Sequence, residues 1–176
     1  MPSTTETVAR PDAGPDGEDA RRDLAARIGE LAADRGLTVA VAESLTGGMV
    51  AMALATAPGS SRWFRGSLVA YHTDVKHEVL GVPPGPVVSA EAAAAMATGV
   101  RRLLRADVVV ALTGAGGPGP QDGRDPGTVF LALESGDGDH RLVRLTIDAD
   151  DPERVCETTA ATALRILVQG LEHPTG

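Results

Sequence analysis

The chain has 176 residues and a net charge of −8, and 43% of it is hydrophobic while only four side chains are Trp, Tyr or Phe. That length predicts one domain with a sizeable core, and the scarcity of aromatic groups means the core must be built from closely packed small aliphatic side chains. The acidic balance, with no basic stripe to displace counterions, argues against non-specific binding to DNA or RNA, although a small anionic metabolite remains compatible with it.

Residues 1–18, rich in Thr, Pro, Gly and acidic groups with little apolar periodicity, read as a disordered tail, and residues 19–176 as a single domain. Leu24, Ile28 and Leu31 line one face of a helix over residues 19–35 that Gly36 ends. A short apolar run at 37–42 suits a buried strand. Glu43-Ser44-Leu45-Thr46-Gly47-Gly48 breaks it, and a helix follows over 49–57. Residues 58–65 form a loop or helical turn whose Trp63 and Phe64 cover the core, 66–71 a second strand and 74–80 a short helix. Ser89 is a good N-cap for a helix over 90–104, with Ala92 where a full capping box would place Glu or Gln. A strand at 107–113 enters the glycine-rich stretch 114–127, two strands at 128–134 and 141–147 form a hairpin, and proline opens a last helix over 152–171. Helices alternating with strands give an α/β class, expected as a three-layer α/β/α sandwich around a mixed, mostly parallel sheet.

Three unusual segments fall at the ends of strands, where ligands bind in open α/β sheets. Ser44 stands between a strand and a helix whose first turn has outward N–H groups and a dipole that favours negative charge. A nucleophile there would have an oxyanion site beside it, and a plain helix cap is the structural alternative. Tyr71 and Lys76 form the second segment, and they are the only tyrosine and the only lysine in the chain; every other basic side chain is arginine. A desolvated lysine can lose its proton and act as a base, which a guanidinium cannot do. The third segment, Thr113-Gly114-Ala115-Gly116-Gly117-Pro118-Gly119, opens no helix and so fails the context for a dinucleotide fingerprint. Its glycines would let backbone approach a ligand. His72, His77, His140 and His173 lack the spacing of metal ligands, so no metal is expected. Cys156, the single cysteine, excludes an internal disulfide framework, suits a reducing cytoplasm and reads as a small buried side chain in the last helix. No apolar run is long enough to span a bilayer and no signal sequence is evident, so no membrane association is expected.

These segments resemble the CinA C-terminal domain family. Ala42-Glu43-Ser44-Leu45-Thr46-Gly47-Gly48 matches its Ala-Glu-Ser-x-Thr-Gly-Gly signature. Pro58-Gly59-Ser60-Ser61, Val69-Ala70-Tyr71 with Lys76, Leu80-Gly81-Val82, Val88-Ser89, Thr113-Gly114 with Gly117-Pro118, and Gly127-Thr128-Val129 follow in order. The family includes nicotinamide-nucleotide amidases, so the resemblance implies hydrolysis of nicotinamide mononucleotide to nicotinate mononucleotide and ammonia, without a cofactor. It assigns Ser44 as nucleophile and Lys76 with Tyr71 as the proton-transfer pair. It places Glu43, Thr46, Gly47, Gly48, Thr113, Gly114 and Gly117 around the substrate, with the 113–118 loop at the ribose phosphate and the N–H groups of residues 46–48 at the oxyanion. The chain departs from the family before the last helix, where Asp150-Asp151-Pro152-Glu153-Arg154-Val155-Cys156 lacks the usual two arginines in register; either Arg154 substitutes or a phosphate contact is lost. That departure leaves open an amidase with another substrate, and a non-catalytic binding protein linked to competence or DNA damage is the alternative of a different class. The alanine-rich helical faces suit self-association, and a homo-oligomer is expected.

Overall fold

The computed structural model describes residues 4–9, 16–136, 139–148 and 151–172. Parts of the N-terminal stretch, the centre of the hairpin turn, Asp150 and His173 therefore lie outside the described residues. The elements are β1 (Thr4–Ala9), α1 (Glu18–Arg35), β2 (Val39–Glu43), α2 (Met49–Thr56), α3 (Ser60–Trp63), β3 (Phe64–Val69), α4 (Thr73–Glu78), α5 (Ala90–Leu104), β4 (Val108–Gly114), β5 (Thr128–Ser135), β6 (Asp139–Thr146) and α6 (Pro152–Glu172). The sheet order is β1-β6-β5-β4-β2-β3. The β1–β6, β2–β3 and β2–β4 pairs are parallel, and the β4–β5 and β5–β6 pairs antiparallel. The sheet is thus mixed and mostly parallel, with helices on both faces, as the sequence predicts.

Strict alternation along the central strands builds the two faces. Val39 and Val41 of β2, Val108, Val110 and Leu112 of β4, and Val129, Leu131 and Leu133 of β5 pack with α1, α2, α6 and Trp63. The intervening Ala40, Ala42, Val109, Ala111, Phe130 and Ala132 pack with α5. Strands buried on both sides in this way read as continuous apolar runs. Small side chains on the second face let α5 sit close. Gly99 of α5 takes this furthest, because a Cβ there would run into the backbone of Leu80. The segment after α4 is thereby pressed against α5.

The stretch read as a disordered tail contains β1, which pairs in parallel with β6 from Thr4↔His140 to Ala9↔Leu145. Its Thr-Thr-Glu-Thr-Val-Ala sequence is rich in β-branched residues but has few apolar ones, and its Val8 is 73% exposed. Asp16, assigned to the same tail, accepts hydrogen bonds from Thr158 and Arg165 of α6 at 2.9 and 3.0 Å. No helix among the described residues is long and apolar enough to cross a membrane.

Candidate active site

Ser44 directly follows β2. The turn after it closes with the Gly47 N–H donating to the Ser44 carbonyl at 3.1 Å, and α2 begins at Met49. Gly47 and Gly48 carry φ of +58° and +107°, which explains the glycine pair: side chains at those angles would be strained. The Ser44 side chain lines a cleft of about 450 Å³ together with Leu45, Tyr71, residues of the 114–121 loop including Gly114, Gly116 and Gly117, and Pro152 and Cys156 of α6. The cleft sits at the carboxyl ends of β2, β3 and β4, where the parallel part of the sheet presents its loops.

Glu43 lies behind this turn and has no exposed surface. One carboxylate oxygen accepts from the Thr46 hydroxyl at 2.7 Å and from the Val50 and Gly48 N–H groups at 3.1 and 3.2 Å. The other accepts from the Ala51 N–H at 2.8 Å. The acid thus caps α2 from within, satisfying N–H groups that the first turn leaves unpaired. Glu43 and the Thr46 hydroxyl, expected at the substrate, are instead engaged with each other and with the helix. The Gly47 and Gly48 N–H groups are similarly occupied, by the Ser44 carbonyl and Glu43. Among the described residues, the N–H groups of Leu45 and Thr46 make no hydrogen bond, so any oxyanion donors in this turn shift one residue toward Ser44.

Lys76, on α4, is the largest side chain to be fully buried, with 1% exposure. Its Nζ donates to the Tyr71 carbonyl at 3.4 Å, and no hydrogen bond among the described residues joins it to Ser44. Burial pushes the amine below the ordinary lysine range, while the charge of Asp122 pulls it partly back. Tyr71 contributes its carbonyl to the amine and its ring to the cleft rim, where it is 72% exposed.

The remaining expected residues divide by position. Gly114 and Gly117 line the cleft. Thr113 is buried and its hydroxyl donates to the Val87 carbonyl at 2.7 Å, so it anchors a neighbouring loop. Arg154 is exposed and stands outside the cleft lining, two residues from both Pro152 and Cys156, which do line it. At 100° per residue, a helix that turns 152 and 156 inward turns 154 away.

Two residues were not connected with the site by the sequence reading. Cys156 donates to the Leu45 carbonyl at 3.2 Å, and burial followed by Glu153 and Glu157 pushes its thiol up, away from thiolate reactivity. Its placement four residues after Pro152, on the first turns of α6, was the available signal. Asp122 accepts from the Val87 and Val88 N–H groups at 2.6 and 3.0 Å. No group of three or more His, Cys, Asp or Glu side chains among the described residues is placed to hold a metal ion.

Comparison with known proteins gives the family. Residues 21–171 match the model of the CinA C-terminal domain. The chain belongs to that family. The CinA-like protein of Frankia casuarinae is 41% identical over 149 residues, covering 81% of this chain and 34% of that protein. The CinA-like protein of Gloeobacter violaceus is 43% identical over 152 residues, covering 81% and 35%. The chain therefore spans about a third of the length of these curated CinA relatives. Against solved structures the match is nearly end to end. The competence/damage inducible protein CihA from Agrobacterium tumefaciens shares 32% identity at a TM-score of 0.82, over 88% of this chain and 96% of that one.

Proposed function

We propose that this CinA domain is a serine amidase that hydrolyses the carboxamide of nicotinamide mononucleotide, in cytoplasmic recycling of pyridine nucleotides. The observation that carries the reading is that Ser44 opens on a cleft whose rim residue Tyr71 accepts, at its carbonyl, a hydrogen bond from a fully buried lysine whose proton is held weakly. Ser44 Oγ attacks the carboxamide carbon, and its proton passes to neutral Lys76 through a bridging water, since no direct bond joins the two. Tyr71 completes the pair, its carbonyl orienting the amine and its ring covering the substrate at the rim. The developing oxyanion is stabilised by the N–H groups of Leu45 and Thr46, a donor being worth about 3 kcal/mol. Lys76 then protonates the leaving nitrogen, the C–N bond breaks and ammonia departs. Water attacks the Ser44 ester, releases the nicotinate product and restores the hydroxyl. Gly114, Gly117 and their neighbours bring backbone to the ribose phosphate.

Incubation of the purified protein with nicotinamide mononucleotide should release ammonia, and Ser44→Ala should lower the rate by roughly 10⁴-fold or more. Equal release from both proteins would overturn the assignment. Binding of the nucleotide with no turnover by either would support a non-catalytic CinA protein instead.

One observation favours a second substrate within the same chemistry. Among the described residues, no arginine or lysine lines the cleft, and Arg154 faces away from it. A phosphate there would depend on backbone N–H groups alone, without the bidentate contact that arginine supplies. The nucleotide should be preferred over its phosphate-free riboside by more than tenfold in kcat/KM on the first reading, and by less than threefold on the second.

A further inference from the structure

Behind the cleft, the segment between α4 and α5 forms a roof over Lys76. Its start is fixed to α4, the Val82 N–H donating to the Lys76 carbonyl at 3.0 Å and the Val82 carbonyl meeting His77 Nδ1 at 2.9 Å. Leu80, Val82, Val87 and Val88 are buried in the core layer of α5. The far end of the roof is held at one residue from two directions. Thr113, at the end of β4, takes the Val87 carbonyl, while Asp122 takes the Val87 and Val88 N–H groups on a single carboxylate oxygen, Oδ2.

Asp122 is itself rigidly presented. Gln121 and Arg124 exchange backbone hydrogen bonds of 3.1 and 2.8 Å across it. Asp122 and Gly123, with φ of +52° and +71°, occupy the two central positions as in a type I′ turn. Aspartate tolerates that conformation better than most residues. This tip belongs to the loop that lines the cleft, since Gln121 faces the Ser44 side while Asp122 faces the roof.

We propose that Asp122 is a positioning residue of the site: its carboxylate latches the roof over Lys76 and supplies the negative charge that bears on the amine. The two effects oppose each other. The latch keeps water out and so weakens the hold of the amine on its proton, and the charge strengthens it. Other ionisable groups surround the region, namely His72, Asp74, His77 and Glu78 on or beside α4, Glu91 and Arg102 on α5, and Arg124 on the same loop as Asp122. Among the described ionisable groups, Asp122 is the one that the fold ties to the far end of the roof, through the Val87 and Val88 N–H groups. Because cleft loop and latch are one segment, displacement of the 114–121 backbone by a substrate reaches Lys76 through Asp122. This inference rests on the proposed role of Lys76 in Ser44 chemistry, but its test does not.

The chain has one lysine, so protein labelled with ¹³C at lysine Cε gives a single side-chain signal, and its titration by NMR reads Lys76 directly. Asp122→Asn retains an oxygen acceptor for Val87 and Val88 and removes the charge; the titration should move below that of the unsubstituted protein. Asp122→Ala removes charge and latch together, so water reaches the amine and the titration should lie above that of Asp122→Asn. Coincidence of Asp122→Asn with the unsubstituted protein would overturn the charge effect, and coincidence of the two variants would overturn the latch. Absence of ammonia release would leave both readouts intact and would count against the amidase reading alone. Where release is observed, the acid limb of kcat/KM should shift with the titration in Asp122→Asn.

Discussion

A carboxylate without solvent contact persists at Glu43 because the first turn of α2 supplies the donors that water would otherwise provide. Three backbone N–H groups and one hydroxyl converge on it within 3.2 Å. Glutamine at this position would present an NH₂ group to at least one backbone N–H, leaving donor facing donor. Glu43→Gln should therefore cost about 2 kcal/mol, a fall of roughly 4–8 °C in Tm for a domain of this size. Thermal unfolding followed by circular dichroism measures it, and an unchanged Tm would contradict the capping role. The sequence located this residue within the right segment but attached it to the substrate, because the Glu-Ser-x-Thr-Gly-Gly spacing does not reveal whether an acid faces a cleft or a helix. Lys76 was marked out by composition, as the one lysine in a chain whose other basic side chains are arginine, and the fold buries it. Asp122 was hidden because its partners, Val87 and Val88, lie some 35 residues away and are reached through backbone atoms that leave no mark in sequence.

Among the elements, legibility followed burial. β2, β4 and β5 are buried on both faces and their apolar runs announce them. Ser89 accepts from the Ala92 N–H at 3.1 Å, the cap its residue type predicts, and Gly36 ends α1 in the left-handed region at φ +64°. β1 failed the same reading for the complementary reason. This edge strand is held by its ladder to β6, and ladder hydrogen bonds depend on backbone rather than on residue type. The roof between α4 and α5 likewise lacks periodicity, and its course is set by Gly99 and by the two anchors on Val87.

On the scale of the whole molecule, buried ionisable groups lie at both ends of the sheet. Opposite the cleft, Glu134 is held by Thr98 at 2.7 Å, His140 at 3.0 Å and Arg101 at 3.1 Å. Burial alone would push this carboxyl up, but bonds from His140, Thr98 and Arg101 outweigh it and hold the group below the ordinary glutamate range. The unfolded chain then binds a proton more readily than the folded one. The contribution of Glu134 is complete above the unfolded value of about 4.3 and is lost as pH falls through the lower folded value. The urea midpoint should accordingly drop between pH 5 and pH 3, and Glu134→Gln should flatten that drop; an equal slope in both proteins would exclude this cluster as its source. Lys76 works in the opposite range. Its folded amine gives up its proton before the unfolded one, so stability gains from Lys76 as pH rises toward the unfolded value of about 10.4. The same burial has a practical corollary. With its one lysine only 1% exposed, the folded protein offers acylating esters no side-chain amine to attack. Side-chain acylation, visible in a mass spectrum as a single added group, then counts the molecules whose roof has lifted.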